Sequence, residues 1–245
     1  AFNVMLARVE SVLDELRAVT DGLAHDLRSP LTRLKARIDK LGQGSVVDAA
    51  DLAAVSAEAE SLLAMLDNSL EISRAEAGIG RDSFDAVDLS KMVTDLADMY
   101  EPLAEDAGVE LQVQLGLSPV LAHAHRQLLG RALANLIDNA LRYGAAGKVI
   151  ELAARRTDTG VRLEVSDHGP GIPASQRREA LRRYGRLDAA RGTQSGRGGK
   201  RVQGAGLGLS LAGAVARLHG GTITLADNQP GLKVAIDLPI VPAAE

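Results

Sequence analysis

One histidine in a helical stretch has the residue type and the neighbours to do chemistry. His25 lies in GLAHDLRSPLTRL, directly before Asp26, four residues before Ser29 and five before Pro30. At about 100° per residue, His25 and Ser29 share a helix face that points away from the leucines of this stretch. The spacing therefore predicts that both side chains face outward.

Two interpretations of His25 follow. It is either a solvated surface histidine or a nucleophile, since a neutral imidazole nitrogen is available near neutral pH. In the second case Asp26 orients the ring and accepts its proton. Pro30 removes a backbone hydrogen bond one turn away and loosens the helix there. The nucleophile interpretation requires that another part of the chain binds an electrophile, and this requirement distinguishes it from the solvated histidine.

A polar helix face in LANLIDNALRYG predicts where that electrophile binds. Asn135, Asn139, Arg142 and Tyr143 recur at i, i+4, i+7 and i+8, and apolar residues fill the opposite face. Asparagine is a poor helix former, so two on one face suggest a ligand. Amide oxygens suit Mg²⁺ and Arg142 suits phosphate. A merely solvated polar face is the alternative.

The stretch VSDHGPGIP reads as a strand that ends in Asp-x-Gly-x-Gly. Asp167 at the strand end can accept a hydrogen bond from an exocyclic amine such as that of adenine. Gly169 and Gly171 allow the backbone to approach a flat ring closely. An ordinary turn is the competing interpretation, because Asp-x-Gly is common in turns.

The stretch GAGLGLSLAGAVARL opens a helix after three glycines, Gly204, Gly206 and Gly208. Glycine amides beside a helix N-terminus favour anions. The spacing is not that of a dinucleotide fold, and SGRGGKR is not a Walker loop because Gln194 and Arg201 occupy key positions. A single RGG also permits an RNA-binding interpretation.

Composition limits the function classes. The chain has 245 residues, no cysteine, 2% aromatic residues and a formal net charge of -4. Disulfide, zinc-thiolate and thiol chemistry are excluded. Scarce aromatics and a negative net charge argue against nucleic-acid partners, and no apolar run is as long as a membrane span.

The first part of the chain has the pattern of two long helices. A heptad stripe precedes the glycine turn LGQGS, and a second stripe follows between Val46 and Ala77. Its positions are Leu52, Val55, Ala59, Leu62, Leu66 and Ser69. One hairpin exposes too much of this stripe, so two hairpins should pair into a four-helix bundle, which predicts a homodimer. The alternative is a hairpin that packs on its own C-terminal domain.

After a linker the pattern becomes mixed. A helix is predicted over 91–107, with Ser90 as its N-cap, and a second helix over 125–143. Residues 174–204 are predicted to form a long polar loop. Strands are predicted over 84–90, 109–115, 148–156, 160–167, 221–227 and 232–240, with a last helix over 207–218. The order favours an α+β sandwich with helices on one face of a sheet.

With these motifs in place, the chain resembles the cytoplasmic part of a bacterial two-component sensor histidine kinase over nearly its whole length. AHDLRSPLTRL resembles the H box, NLIDNALRY the N box of the Bergerat (GHKL) ATPase fold, and DHGPGIP and GAGLGL its glycine boxes. LRRYGRLDAAR resembles the F box, with Leu181 and Tyr184 at the usual phenylalanine positions. Ahead of the N box, where the family often has Gly-Asp, this chain has Ala124-His125.

The resemblance implies a domain order. Residues 1–18 would end a HAMP linker, 19–78 would form the dimerisation and phosphotransfer hairpin, 79–83 a linker, and 84–242 a Bergerat-type ATP-binding domain with a lid over 174–203. Such a fragment would belong to the cytoplasmic portion of an inner-membrane sensor, without direct membrane contact of its own.

The resemblance also implies site roles. His25 would accept the phosphoryl group, and Asp26 would polarise the His25 ring. Ser29 would position water for dephosphorylation of the response regulator. The implied ATP-binding residues are Asn135, Asn139, Arg142, Tyr143, Asp167, Gly169, Gly171, Ile172, Arg186, Gly204, Gly206, Leu207 and Gly208, and the implied Mg²⁺ ligands are Asn139 and Asn135.

The implied activity is ATP-dependent autophosphorylation of His25 and transfer to an aspartate of a response regulator receiver domain, with regulator phosphatase activity as well. Two rival functions are a GHKL ATPase of another type and a nucleotide-binding dimeric scaffold without kinase activity. The H box on a dimerising hairpin argues against the first, and the intact boxes argue against the second.

Overall fold

A computed structural model describes residues 31–32, 34–36, 38–39, 49–78, 83–116, 119–182 and 207–239. The chain divides into two compact units, Ala1–Ala77 and Gly78–Glu245. The H-box residues His25, Asp26 and Ser29 lie outside the described residues, as does the glycine turn at 41–45.

The described part of the first unit is helical. Helix α1 spans Ala49–Glu76, in agreement with the predicted second helix, and the described residues between 31 and 39 are also helical. Leu62, Met65, Ser69 and Ile72 are buried at three- and four-residue spacing, which is the stripe of an amphipathic helix. Leu52, predicted on the same stripe, is 65% exposed. The four-helix bundle and the homodimer stay predictions.

The second unit alternates strands and helices. In chain order its elements are β1 (Asp85–Asp88), α2 (Leu89–Asp106), β2 (Glu110–Leu115), β3 (Leu121–Ala124), α3 (Arg126–Asn139), a π-helical turn (Ala140–Gly144), a 3-10 turn (Ala145–Gly147), β4 (Val149–Thr157), β5 (Gly160–Asp167), α4 (Ala174–Ala180), α5 (Gly208–Leu218), β6 (Thr222–Asp227) and β7 (Leu232–Pro239).

Five of these strands form one mixed sheet in the order β2-β4-β5-β7-β6, and β1 and β3 form a separate antiparallel pair. The β2–β4 pairing is parallel and the remaining pairings of the large sheet are antiparallel. Helix α2 packs on β2 and β4, α3 on β5, and α5 on β6 and β7. The second unit is therefore a mixed helix-and-sheet sandwich.

The two faces of the sheet follow the alternation of the sequence. Val161, Leu163 and Val165 of β5 are buried on one face, beside their β7 partners. Residues between them point to the other face, where Arg162 forms a forked ion pair with Asp237. Period-two patterning thus separates an apolar side, covered by helices, from a charged side.

Three local predictions need correction. The N-cap of α2 is Asp88, whose carboxylate accepts from the Lys91 N–H at 3.0 Å, and not Ser90. Ser90 Oγ instead accepts from the N–H of Val120 at 3.0 Å. Asp88 is the N-cap because its carboxylate is a good capping group. Ser90 already lies inside the first turn of the helix.

The other two corrections concern where elements begin and end. The predicted helix over 125–143 ends at Asn139, and Ala140–Gly144 continues it as a π-helical turn. The predicted loop over 174–204 begins with helix α4, and residues 183–206 lie outside the described part. Strand β3 had no counterpart among the predictions, because its LAHA sequence has no clear alternation of hydrophobic and polar residues.

A bilayer-spanning helix is not found among the described helices.

We expect the packing of α3 to dominate the stability of the second unit. Leu129 of α3 is 0% exposed, so Leu129→Ala should lower the free energy of unfolding by about 2–5 kcal/mol through lost transfer energy and a residual cavity. Leu121→Ala is the matched control, because Leu121 is 58% exposed. Urea unfolding followed by circular dichroism measures both, and equal losses would contradict this account of the core.

Candidate functional site

The two asparagines of α3 lie where α5 begins. Both are half-buried, and the Asn135 amide nitrogen donates to the Arg131 carbonyl at 3.0 Å. A Cβ placed on Gly208, the first residue of α5, would lie 2.8 Å from Asn139 Nδ2 and 3.5 Å from Asn135 Cβ. Gly208 therefore lacks a side chain for a packing reason, because α5 starts directly against the asparagine face.

Arg142 and Tyr143 follow in the π-helical turn and are exposed. The wider turn alters the angular positions that an ordinary helical wheel assigns to residues 140–144. The structure therefore does not keep all four predicted polar residues on one α-helical stripe. Asn135 and Asn139 line α3, and Arg142 and Tyr143 extend beyond its end.

A tyrosine of α2 supports the junction between α3 and the π-helical turn. Tyr100 Oη donates to the Ala134 carbonyl at 3.4 Å, and the Asp138 carboxylate is a second acceptor that shares the same hydroxyl proton. Burial raises the pKa of Asp138, while the Tyr100 hydrogen bond and the Arg142 charge oppose that rise. Burial likewise raises the pKa of Tyr100. Sequence reasoning missed this tertiary contact, which has no local signal.

Asp167 ends β5 with a buried carboxylate, only 8% exposed. Its Oδ1 accepts from the N–H of Gly169 at 2.9 Å and from the N–H of Leu232 at 3.4 Å. Burial raises the pKa of Asp167, and the two backbone donors oppose this. Among the described residues both hydrogen bonds end on Oδ1, so Oδ2 is the oxygen that remains for a ligand.

Two glycines close around this carboxylate. A Cβ on Gly144 would lie 2.6 Å from Asp167 Cγ, and one on Gly169 would lie 2.7 Å from Gly144 Cα and 2.8 Å from the Tyr143 carbonyl oxygen. The π-helical turn and the turn after β5 therefore touch backbone to backbone. Such a surface is flat enough for a planar ligand.

The turn between β6 and β7 completes the surroundings of Asp167. Gly231, at φ +121°, is so close that an added Cβ would lie 2.6 Å from the Asp167 carbonyl carbon. Asn228 Nδ2 donates to the Asp167 carbonyl oxygen at 3.0 Å. Gly171, at φ +68°, packs against Gly231, since its added Cβ would lie 2.6 Å from the Gly231 carbonyl oxygen. Sequence reasoning found Gly171 but missed Gly144, Asn228 and Gly231.

The remaining predicted residues divide by location. Leu207 is buried and occupies the N-cap position of α5, where its apolar side chain makes no capping hydrogen bond to the first N–H groups of the helix. The Ile172 carbonyl accepts from Arg177 Nε at 2.9 Å. Arg186, Gly204 and Gly206 lie outside the described residues.

The contacts bring three polar features to neighbouring elements. Gly144 joins the end of α3 to Asp167, and Gly208 joins the start of α5 to Asn139. The arrangement offers a buried carboxylate oxygen, amide oxygens and the N-terminal start of α5, which suit an amine, a hard cation and an anion respectively. No group of three or more carboxylate, histidine or cysteine residues in the described part could hold a metal ion.

The chain is similar in sequence and in fold to histidine kinases. Residues 124–242 match the family described as histidine kinase-, DNA gyrase B- and HSP90-like ATPase. The chain is 33% identical over 258 residues to the sensor histidine kinase MtrB of Mycolicibacterium paratuberculosis, a match that covers 98% of this chain and 43% of that protein. The chain spans less than half the length of such curated relatives.

Two solved structures share the fold. The Acinetobacter baumannii histidine kinase AdeS aligns with a TM-score of 0.69 at 20% identity, over 89% of this chain and 98% of that chain. Full-length ShkA in complex with AMPPNP aligns with a TM-score of 0.62 at 24% identity, over 92% of this chain and 47% of that chain. The sequence matches and the motif order agree: residues 124–242 belong to the family described as histidine kinase-, DNA gyrase B- and HSP90-like ATPase, and the chain is similar to sensor histidine kinases over nearly its whole length.

Proposed function

We propose that the chain uses ATP to phosphorylate His25 and passes the phosphoryl group to an aspartate of a response regulator. The observation that supports this most directly is the buried Asp167 carboxylate, held through Oδ1 beside the backbone of Gly144 and Gly169. A fixed acceptor above a flat backbone surface suits the exocyclic amine and ring of adenine. The full-length ShkA structure contains AMPPNP, an ATP analogue, which favours the same ligand class.

In this proposal the phosphate groups of ATP lie where α3 ends and α5 begins. Asn139, assisted by Asn135, would hold Mg²⁺ through amide oxygens, and half-buried amides beside Gly208 fit a hard cation. Bound Mg²⁺ would neutralise charge on the phosphate oxygens. Arg142 would pair with phosphate, and Tyr143 would pack near the nucleotide.

The glycine-rich approach to α5 would bind phosphate through backbone N–H groups. In sequence, Gly204, Gly206, Leu207 and Gly208 lead into α5, and the N-cap residue Leu207 does not cap the first N–H groups of that helix through its side chain. Gly169, Gly171 and Ile172 would line the base, and Arg186, within the lid proposed over 174–203, would approach the γ-phosphate.

The chemical step is an in-line displacement. A His25 ring nitrogen forms a bond to the γ-phosphorus, the bond from that phosphorus to the bridging oxygen breaks, and ADP leaves. Asp26 orients the ring and takes its proton. Positioning and charge neutralisation supply most of the catalysis in phosphoryl transfer, so the nucleotide-binding domain mainly holds ATP and delivers its γ-phosphate.

The partners follow from the same proposal. Residues 19–78 would form a homodimeric four-helix bundle, and a receiver domain would dock on it near His25 and Ser29. Ser29 would position water when the regulator is dephosphorylated. Residues 1–18 would continue a HAMP linker, and membrane anchoring would lie elsewhere in a longer sensor protein with this part in the cytoplasm.

His25 is expected to be the phosphoacceptor. Incubation with γ-labelled ATP should give acid-labile label on the wild-type chain and none on His25→Gln. His123→Gln is the matched control, because His123 is an exposed histidine that has no role in the proposal. Label retained by His25→Gln would place the acceptor elsewhere, and nucleotide binding without any label would favour the scaffold function.

Asp167 is expected to select adenine through its amine. Inosine triphosphate has a carbonyl oxygen in place of that amine, so wild type should bind it at least about fivefold more weakly than ATP, since an unsatisfied buried acceptor costs about 1–3 kcal/mol. Asp167→Asn, whose amide can also donate, should lose this discrimination. Asp158→Asn in the exposed β4–β5 turn is the control. Calorimetric titration decides, and unchanged discrimination in Asp167→Asn would refute the assignment.

The approach of Gly208 to Asn139 gives a third test. Gly208→Ala should displace the Asn139 amide and weaken AMPPNP binding in Mg²⁺ by about tenfold, as displaced support of a ligand group commonly does. Gly130→Ala is the control, since nothing lies within 4 Å of its added Cβ. Equal affinities for the two variants would remove Asn139 from the site.

A further inference from the structure

The ring of His219 connects two helices through both of its nitrogens. His219 is the C-cap residue directly after α5 and is 6% exposed. Its Nδ1 lies 2.7 Å from the Val215 carbonyl oxygen, and its Nε2 accepts from the backbone N–H of His125 at 2.9 Å. A carbonyl requires a proton on Nδ1 and an N–H requires a lone pair on Nε2. The ring is therefore neutral, in the Nδ1–H tautomer.

An aromatic residue packs on the same ring. Phe84, which precedes β1, stacks on His219 with centroids 4.5 Å apart and planes at 23°. His125 meets the edge of Phe84 at 6.5 Å, and the exposed His123 lies 5.8 Å away from it. Phe84 thus covers His219 and helps to exclude water from its hydrogen bonds.

The two helices that His219 connects run antiparallel. His125 is the N-cap of α3, so the His219 contact joins the start of α3 to the end of α5. At the other end of the pair, Gly208 at the start of α5 meets Asn139 at the end of α3. Fourteen residues of α3 separate the two contacts, about 21 Å at 1.5 Å per residue.

We propose that His219 is a positioning residue for nucleotide binding: its neutral ring fixes the axial register of α3 and α5 and so holds Asn139 against Gly208. A slide of α5 along α3 would open that contact, and the hydrogen bond between His219 Nε2 and the His125 N–H resists the slide. Two packed helices transmit such a constraint as rigid elements. The inference rests on the proposed function, since it concerns the same nucleotide site.

The direction of the pH dependence follows from the tautomer. A proton on Nε2 would face the His125 N–H, donor against donor. Burial is the main cause that lowers the pKa of His219, and the nearby His125 lowers it further, while the Val215 hydrogen bond opposes both. The stabilisation is complete above the ordinary histidine pKa of about 6.5 and is lost as pH falls from there through the lowered folded pKa.

The charged and titratable neighbours are few in the described part of the chain. His125 at the start of α3 acts on His219 electrostatically, and His123 on β3 lies across Phe84. Arg217 is in the last turn of α5 itself. His125 is also the N-cap of α3 and accepts from the Leu128 N–H at 3.4 Å through Nδ1.

Two non-titrating replacements separate positioning from simple packing. His219→Gln keeps an acceptor near the position of Nε2, whereas His219→Asn reaches only as far as Nδ1. At pH 7.5, binding of AMPPNP in Mg²⁺ should stay within about twofold of wild type for Gln and weaken by about tenfold for Asn. Equal affinity of Asn and wild type would overturn the proposal. His123→Gln, on the far side of Phe84, should bind as wild type does.

The pH profile and a spectroscopic measurement complete the test. Between pH 7.5 and 5, wild type should lose affinity and urea stability faster than His219→Gln, because titration of the ligand is common to both. Nitrogen-15 shifts of the His219 ring should report the Nδ1–H tautomer. If the Asn variant does not fold, parallel pH profiles for wild type and Gln, or the other tautomer, still overturn the proposal. A wild type that binds no nucleotide would instead overturn the proposed function.

Discussion

A carboxylate buried at the end of a strand is the constraint on which the candidate site depends. Removing Asp167 from water disfavours its charged form, so backbone donors from Gly169 and Leu232 must be supplied in place of water. They can approach only because Gly144 and Gly231 have no side chains. Three separate turns are thereby committed to one side chain, which explains why the glycines cluster in space although they are scattered in sequence.

The antiparallel pair of α3 and α5 places the second half of the site. The pair has one close contact at each end, between Asn139 and Gly208 and between His125 and His219. Packed interiors move as units, so a helix held at both ends has little freedom to slide or rotate. The sheet beneath supplies the apolar surface that keeps the pair in place, with Leu129 and Leu211 fully buried between the layers.

Sequence periodicity predicted β4, β5 and the longer helices α1, α2, α3 and α5, because each is long enough for its apolar pattern to repeat. It failed where the deciding contact is tertiary. The four residues of β3 are defined by pairing with β1, and the π-helical turn begins within a run that an ordinary wheel reads as α-helix. Asp167 and Asn139 were predicted from local motifs. Gly231 and Tyr100 were not, because only the folded chain brings them to the site.

The two ends of the candidate site differ in their degree of preorganisation. The Asp167 end is closed by backbone contacts and is 8% exposed, whereas Tyr143 near the proposed phosphate end is 51% exposed and Arg142 is also exposed. Ordering exposed side chains costs about 0.5–1.5 kcal/mol each on binding, a cost that a preformed cradle does not incur. In the proposed function, a rigid grip on the base with adjustable contacts to the phosphates would suit phosphoryl transfer, because the γ-phosphoryl group would have to change partners while the nucleotide stays bound.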